Sequence, residues 1–417
     1  MKIAFVSQPW DNMVPPVQAG SIAIWTYEVA RRLAPSYDVV VFARGSRHGP
    51  RRRTDQRVQY RYIWTGPDVR ALKLHTKLQR FTKLGLPAFA SPFYYLPYII
   101  RAAWELRKQN CDVIHVHNFS QFVPVIRAFN PRATILLHMH CEWLTQLNRS
   151  SIRRRLRSAN GVLGCSDYIT NKIRACFPEH AGKCGTVFNG VDLQRFLERG
   201  SPGVPRRRGT QRLLFVGRIS PEKGLHVLLE AFAQVQEEHP GAVLDVIGPA
   251  GMLSPEMLRT LTDDPRVACL KTFAGCDYLA ELQKCITSET IERVRFLGQV
   301  PHEKLVYHFR DADVFISPSL SDSFPLTVTE AMASGLPVVA TRVGGIPEAV
   351  VDNETGVLIE PNDVNGLARE INRLLDDSAR METMGKAARR RVVERFSWEK
   401  IAESLLERYR NACAENA

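Results

Sequence analysis

Short, nearly uninterrupted apolar runs alternate with longer amphipathic ones along this chain, and they do so in both halves. In the first half the runs fall at residues 2–7, 38–44, 112–118, 134–140, 161–166 and 186–191, with helical patterns clearest at 21–33 and 142–157. In the second half they fall at 212–217, 243–248, 294–298, 313–317, 337–341 and 356–360. A strand with one wet face alternates polar and apolar residues. Strands rich in Val, Ile, Leu and Phe throughout are buried on both faces, as parallel strands between helical layers must be. The pattern therefore predicts an α/β protein with a doubly wound parallel sheet in each half. A length of 417 residues, 45% of them apolar, is enough for two such cores.

The Gly- and Pro-rich stretch 200–211 (GSPGVPRRRGTQ) has no periodicity and reads as the linker. It sets expected domains of 1–202 and 203–395. Residues 396–417 form a C-terminal helix, with Ser397 as a cap and Trp398, Ile401, Leu405 and Leu406 at helical spacing. Charge divides with the halves. Residues 1–210 hold 33 Lys and Arg against 12 Asp and Glu, whereas residues 211–417 hold 23 against 31. Two units with different partners are implied. The nine cysteines are scattered, with no CxxC pair, which speaks against a disulfide framework or zinc and for a cytoplasmic setting. Neither a signal peptide nor an apolar run of membrane-spanning length is apparent.

Chemistry concentrates in two places. Residues 317–351 read SPSLSDSFPLTVTEAMASGLPVVATRVGGIPEAVV. A buried strand ends at Ser317, Asp322 or Ser323 is placed to cap a helix with Pro325 in its first turn, and that helix stops at Gly335. A Gly344–Gly345 turn then opens a second helix containing Pro347. Two helix N-termini at the carboxyl edge of a parallel sheet suit a diphosphate. Asp322 and Glu330 are acceptors suited to sugar and ribose hydroxyls; the plainer account makes them a capping acid and a solvated helical Glu. In residues 213–225 (LLFVGRISPEKGL), Arg218 leaves a strand and Lys223 opens the next helix. Two cations there would neutralise a pyrophosphate leaving group, a task divalent metals perform elsewhere. A surface Arg and a first-turn Lys are the simpler alternative.

The segments GRISPEKG, FLGQVPHEKL, SPSLSDSFPLTVTEAMASGLPVVAT, GGIPE and VFNGVD together resemble family 4 of the retaining glycosyltransferases, densely over 184–360 and more loosely over 1–183. The resemblance implies the GT-B fold, two Rossmann-like domains facing a cleft. It also implies that Arg218 and Lys223 meet the donor diphosphate and that Glu330 meets the ribose. Asp322 falls where the family usually has Glu, so the charge is kept on a shorter arm. Phe324, Pro325, Leu326 and Thr327 would present backbone to sugar and phosphate, with Pro325 lacking an N–H, and backbone around Gly298 would meet the base. Asn189, in VFNGVD, is a further sugar or acceptor candidate.

In the first half, Gly20 in the loop VQAGS permits close approach of backbone to phosphate, where the family often has two glycines. His115, His117, His138 and His140 end two adjacent strands, and alternation places His138 and His140 on one face. No carboxylate cluster joins them, so no metal is expected, and His115 and His138 read as polar strand-end residues. His140 matches the family's histidine near the donor sugar; His117 is a further sugar or acceptor candidate.

The implied activity is transfer of a hexosyl group from a UDP- or GDP-sugar to an acceptor hydroxyl with retention, in cell-envelope, exopolysaccharide or glycolipid assembly and without a metal or cofactor. The acceptor falls to the basic half. Arg51–Arg53, Arg153–Arg155 with Arg157, and Lys73, Lys77, Arg80 and Lys83 neighbour the aromatic stretch 87–100 (PAFASPFYYLPYII). That combination suits a lipid-linked acceptor and an anionic membrane surface, peripheral on its inner face; a solvated Arg-rich surface over a buried connecting loop is the alternative. A nucleotide-sugar epimerase and a catalytically silent structural protein share the fold. A nucleic-acid binder is the alternative from another class that the basic half suggests, and against it no helix-turn-helix, zinc finger or RNP-type motif is visible.

Overall fold

The computed structural model describes residues 1–79, 88–197, 210–251, 257–258, 261–284 and 288–416. It divides into two compact units, Met1–Phe188 with Trp398–Ala417, and Asn189–Ser397. The division differs from the expected one. The boundary at 202 and 203, with most of the linker, lies outside the described residues, and the chain from Asn189 onward already packs with the second unit. Lys73, Lys77, Arg80 and Lys83 likewise fall where side chains are not described.

The first unit holds strands β1 (Lys2–Val6), β2 (Asp38–Gly45), β3 (Arg52–Asp55), β4 (Val58–Trp64), β5 (Val113–His117), β6 (Thr134–Met139), β7 (Gly161–Gly164) and β8 (Cys184–Thr186). Their order is β3-β4-β2-β1-β5-β6-β7-β8, parallel throughout except β3 against β4. Growth reverses between β1 and β5, the place where ligands of such sheets bind. Helix Ser21–Leu33 lies against helix Trp398–Ala414, so the chain's last helix belongs to this unit. Trp398, Ile401 and Leu405 are buried as its spacing predicts.

The β3–β4 hairpin is not among the expected strands. In RRRTDQRVQYRYIW the arginines mask the alternation that buries Val58 and Tyr60 while Gln59 faces out, and Gln56 and Arg57 turn the chain with φ of 45° and 66°. Two further expectations fail locally. The strand expected at 186–191 is instead β8, ending at Thr186. The single helix expected over 142–157 is two, Trp143–Gln146 and Arg149–Leu156, because Leu147 is extended and Asn148 Oδ1 accepts the Ser151 N–H at 3.0 Å, starting a fresh helix.

The second unit holds β9 (Arg212–Val216), β10 (Val243–Ile247), β11 (Val294–Gly298), β12 (Val314–Ser317), β13 (Val338–Thr341) and β14 (Val357–Ile359), in the order β11-β10-β9-β12-β13-β14 and all parallel. This is the doubly wound arrangement, reversing between β9 and β12. Leu213, Phe215, Leu244, Val246, Val314 and Ile316 form its centre, covered by Leu228 and Phe232 of helix Leu225–Glu238 and by Ile371 and Leu374 of helix Val364–Asp376. Among the described residues, no helix is long and apolar enough to cross a membrane.

Candidate functional site

At the reversal point of the second sheet, the loops leaving β9 and β12 meet. Glycines bring them together. A Cβ on Gly224 would lie 2.0 Å from the Pro318 carbonyl oxygen, one on Gly248 1.9 Å from that of Gly217, and one on Gly344 1.7 Å from that of Asp322. Gly224 and Gly344 also have φ of 68° and 54°, which favour glycine. Backbone contact thus fixes where the charged residues of these loops stand.

Lys223 is the last residue of a 3-10 turn, Pro221–Lys223, with Gly224 capping the helix beyond; it does not open that helix as expected. Its Nζ lies 2.5 Å from Asp322 Oδ2. Arg218 donates from Nη2 to Glu222 Oε1 at 2.7 Å and from Nε to Ser220 Oγ at 3.2 Å, while its side chain stays 41% exposed. Glu222 is buried and also accepts the Ser220 hydroxyl at 2.6 Å. Each cation is therefore matched by a carboxylate. Glu222 was not foreseen, although it stands in the motif SPEKG.

Asp322 does not cap the following helix, because its carboxylate is taken by Lys223. Nor does Ser323; the N-cap is Pro325 itself, which therefore precedes the first turn, and no side chain caps Leu326–Ala333. Helix N–H groups without side-chain caps need another acceptor, and an anion serves. Leu326 is largely buried, and Thr327 is half-buried at this end. Phe324 packs its ring on Phe396, with centroids 5.3 Å apart. Its carbonyl accepts the Asn189 amide at 2.7 Å, so Asn189 supports this loop from a buried position, and its Oδ1 has no hydrogen-bond partner among the described residues. Gly298 ends β11 with φ 68°, exposed, its carbonyl accepting the Gly248 N–H at 2.8 Å.

Glu330 is buried, not solvated. Its Oε1 lies 2.5 Å from His302 Nε2, and His302 Nδ1 lies 3.0 Å from Arg195 Nη1. Arginine only donates, so His302 accepts at Nδ1 and donates from Nε2 to Glu330. Glu330 Oε2 is buried without a partner among the described residues, a standing acceptor for a ligand hydroxyl. His302 and Arg195 were missed; His302 stands in the quoted segment FLGQVPHEKL, but an isolated histidine there gives no signal.

In the first unit, Gly20 is the exposed N-cap of helix Ser21–Leu33, with φ 84°. The four histidines form two hydrogen-bonded pairs. His115 Nε2 lies 3.2 Å from His138 Nδ1, with the Tyr409 hydroxyl 3.0 Å from His115 Nδ1. His117 Nδ1 lies 3.1 Å from His140 Nε2. Thr26 fixes the protons of the second pair. Its hydroxyl donates to the Ile22 carbonyl at 2.8 Å, so at 3.0 Å it accepts from His117 Nε2. His117 Nδ1 then accepts from His140 Nε2, which leaves a lone pair on His140 Nδ1. Burial, assisted by the neighbouring imidazoles, pushes His115, His117 and His140 well below their ordinary value, and burial brings His138 to about 3. All four are neutral near pH 7. Thr26 and the core placement of His115 and His138 were not anticipated from their positions in the sequence.

Nitrogens of His115, His117 and His138 lie within 4.8 Å of one another, close enough for a metal ion. They are fully buried beneath Trp25, with no carboxylate in the cluster to balance a divalent charge. The hydrogen bonds already made suit neutral imidazoles. From His140 a polar chain continues. Its backbone N–H donates to Asn118 Oδ1 at 2.7 Å, Asn118 Nδ2 to Gln8 Oε1 at 2.9 Å, and Gln8 Nε2 to Asp11 Oδ1 at 3.1 Å. Burial raises the Asp11 carboxyl to about 6 against the hydrogen bonds from Gln8.

Residues 202–391 match the family model described as Glycosyl transferases group 1, and residues 22–195 match that of Glycosyltransferase Family 4. Spore coat protein SA of Bacillus subtilis is 28% identical, over 98% of this chain and 99% of that protein. D-inositol 3-phosphate glycosyltransferase of Acidothermus cellulolyticus is 30% identical, over 95% of this chain and 87% of that protein. HepE of Anabaena, solved in complex with UDP-glucose, has a TM-score of 0.69 at 20% identity, covering 98% of each chain. With two doubly wound units and relatives along nearly its whole length, the chain belongs to the family 4-like group 1 glycosyltransferases of the GT-B fold.

Proposed function

We propose that this glycosyltransferase moves a hexosyl group from a nucleotide diphosphate sugar, UDP- or GDP-linked, to an acceptor hydroxyl with retention and without a metal. The carrying observation is the meeting of Arg218, Lys223 and an uncapped helix N-terminus at the reversal point of the second sheet. The diphosphate takes Lys223 from Asp322 and lies against Arg218 and the helix Leu326–Ala333. Asp322, once released, accepts from a sugar hydroxyl, and Glu330 Oε2 accepts from the ribose. His140 offers its Nδ1 lone pair to a hydroxyl of the donor sugar. As the nucleotide diphosphate departs, cations and helix dipole stabilise its charge, and a leaving phosphate oxygen takes the acceptor proton. That HepE was solved with UDP-glucose supports this class of donor. We place the reaction in envelope, exopolysaccharide or glycolipid assembly, at the cytoplasmic face of the membrane.

A donor panel scored by release of UDP or GDP tests this reading. Release from one nucleotide sugar above the rest is expected; no turnover and no calorimetric binding of UDP or GDP would end it. Silence of that kind would favour a structural role, the reading that likeness to a spore coat protein supports. An epimerase is separated by supplying labelled donor without acceptor, since it alone alters the sugar.

A further inference from the structure

We propose that a groove in the first unit, lined by Arg47, Arg51, Arg52, Arg61 and Arg101, binds a phosphate or diphosphate ester carried by the acceptor; the acceptor role rests on the transferase reading above. The cavity measures about 620 Å³, and Tyr62, Trp64 and Trp104 share its lining. Five guanidinium groups face a single carboxylate there, that of Glu105, which lies 3.7 Å from Arg61 and 3.1 Å from Lys108. Arg101 is held by buried Asp68 at 3.1 Å. Arg47, Arg51 and Arg52 have no carboxylate partner among the described residues.

The backbone forces two of these charges together. Arg52 and Arg61 stand directly opposite each other in the antiparallel β3–β4 ladder, where like charges destabilise the pair. Arg61 Nε is buried with no hydrogen-bond acceptor among the described residues. An anion held between the two guanidinium groups turns that repulsion into attraction and supplies the missing acceptor. Guanidinium forks match phosphate oxygens bidentately, and Arg47 lies 5.9 Å from the centre of the Trp64 ring, on one wall.

A second cavity of about 350 Å³ shares Ser46, Pro50 and Tyr62 with the first and extends to Asp11 and Asn12 in the loop after β1. The groove thus adjoins a cavity at the carboxyl edge of the sheet, beside the loop that follows β1. An acceptor anchored by its phosphate among the arginines extends its sugar or alcohol portion toward Asp11. The phosphate has two possible carriers, a water-soluble ester or a lipid. Ile100 and Trp104, one helical turn apart on helix Leu96–Gln109, are 41% and 51% exposed, and Phe93 is 70% exposed. Trp104 also lines the groove, so an apolar tail has a surface beside the charged end.

Calorimetric titration of the full chain with inorganic pyrophosphate tests the groove. Arg47→Ala with Arg52→Ala, both on exposed side chains, is expected to weaken one pyrophosphate site by about tenfold or more, the scale of losing charge-assisted hydrogen bonds. Arg218→Ala with Lys223→Ala should leave that site intact and abolish UDP binding. UDP binding that survives the latter pair tells against the donor reading alone. Unchanged pyrophosphate affinity in the groove pair overturns the groove proposal. So does an equal loss when Arg153→Ala and Arg154→Ala remove the same charge elsewhere. Farnesyl diphosphate separates the carriers: tighter binding than pyrophosphate, lost in Trp104→Ala, supports a lipid-borne ester, while equal affinity supports a soluble one.

Discussion

Lys223→Ala tests the donor site most directly, and the structure says how its effect should divide. The lysine Nζ lies 2.5 Å from Asp322 Oδ2, with the two side chains 24% and 11% exposed. Loss of one charge-stabilising group costs roughly 10²- to 10³-fold in turnover, about 2.7–4 kcal/mol. Part of that is not the lysine's own contribution. With Lys223 gone, Asp322 keeps its charge beside the diphosphate, and two unit charges about 5 Å apart at an effective dielectric of about 20 repel by about 3 kcal/mol. Adding Asp322→Asn to Lys223→Ala should therefore restore about tenfold or more of the lost rate. Alone, Asp322→Asn should cost less than Lys223→Ala, because it frees the lysine while surrendering a sugar contact. The cycle is then strongly non-additive, as expected for groups in contact. The assay is steady-state release of nucleotide diphosphate at saturating donor, with thermal melting to confirm folding. A Lys223→Ala rate within twofold of the unmodified enzyme, or a double variant slower than that single one, refutes the charge argument.

Glu330→Ala should lower turnover about 10²-fold, and Glu330→Gln should fall between, since its amide oxygen still accepts a ribose hydroxyl; equal rates in all three would remove Glu330 from the site. Asp11 should make stability depend on pH. Its carboxyl titrates near 6 in the native protein against an ordinary value of 3.8, so its contribution is full below 3.8 and lost as pH rises through 6, leaving a cost of up to about 3 kcal/mol at neutral pH. Asp11→Asn should accordingly raise the melting temperature at pH 7.5 by a margin that vanishes near pH 4; a margin constant with pH contradicts the assignment. The Thr26 hydrogen bonds predict that ¹⁵N spectra of histidine-labelled protein show His117 and His140 both protonated at Nε2. Thr26→Val should disturb both resonances, and protonation of His140 at Nδ1 would contradict the deduced tautomers.

Much of the architecture was legible because burial on both faces leaves a plain mark on a parallel strand. The runs over 2–7 and 243–248 contain β1 and β10. Legibility failed where a strand lies at an edge. Arginines are tolerated along β3 and β4 because β3 is an edge strand whose Arg52 and Arg53 are exposed and Arg61 of β4 is only half-buried, so the alternation of Val58 and Tyr60 is lost among charges. It failed again at 142–157, where extended Leu147 ends one short helix and Asn148 caps the next. Within the candidate site, residue types were readable and partners were not. Arg218 and Lys223 stand out as cations just beyond a strand, but Glu222, four residues from Arg218, gives no sign of being its partner, and that Asp322 holds Lys223 depends on contacts between loops distant in sequence. Glu330 resembled a solvated helical acid because His302 and Arg195 are remote from it in sequence.

Those partners change how a diphosphate is bound on the proposed reading. Two cations and two carboxylates leave this corner without net charge, so attraction by net charge alone does not fill it. The two pairs are not equivalent. Glu222 is buried and fixed by Ser220 as well as by Arg218, so Arg218 is held ready in one orientation and its exposed guanidinium can meet phosphate without leaving its acid. Asp322 sits on the loop entering an uncapped helix, and Lys223 exchanges it for phosphate as the helix N–H groups gain an acceptor. One cation is preorganised and the other is released by the ligand. On that reading a nucleoside monophosphate, with one phosphate to divide between Arg218 and Lys223, should bind more weakly than the diphosphate in calorimetry, and equal affinity would refute the exchange.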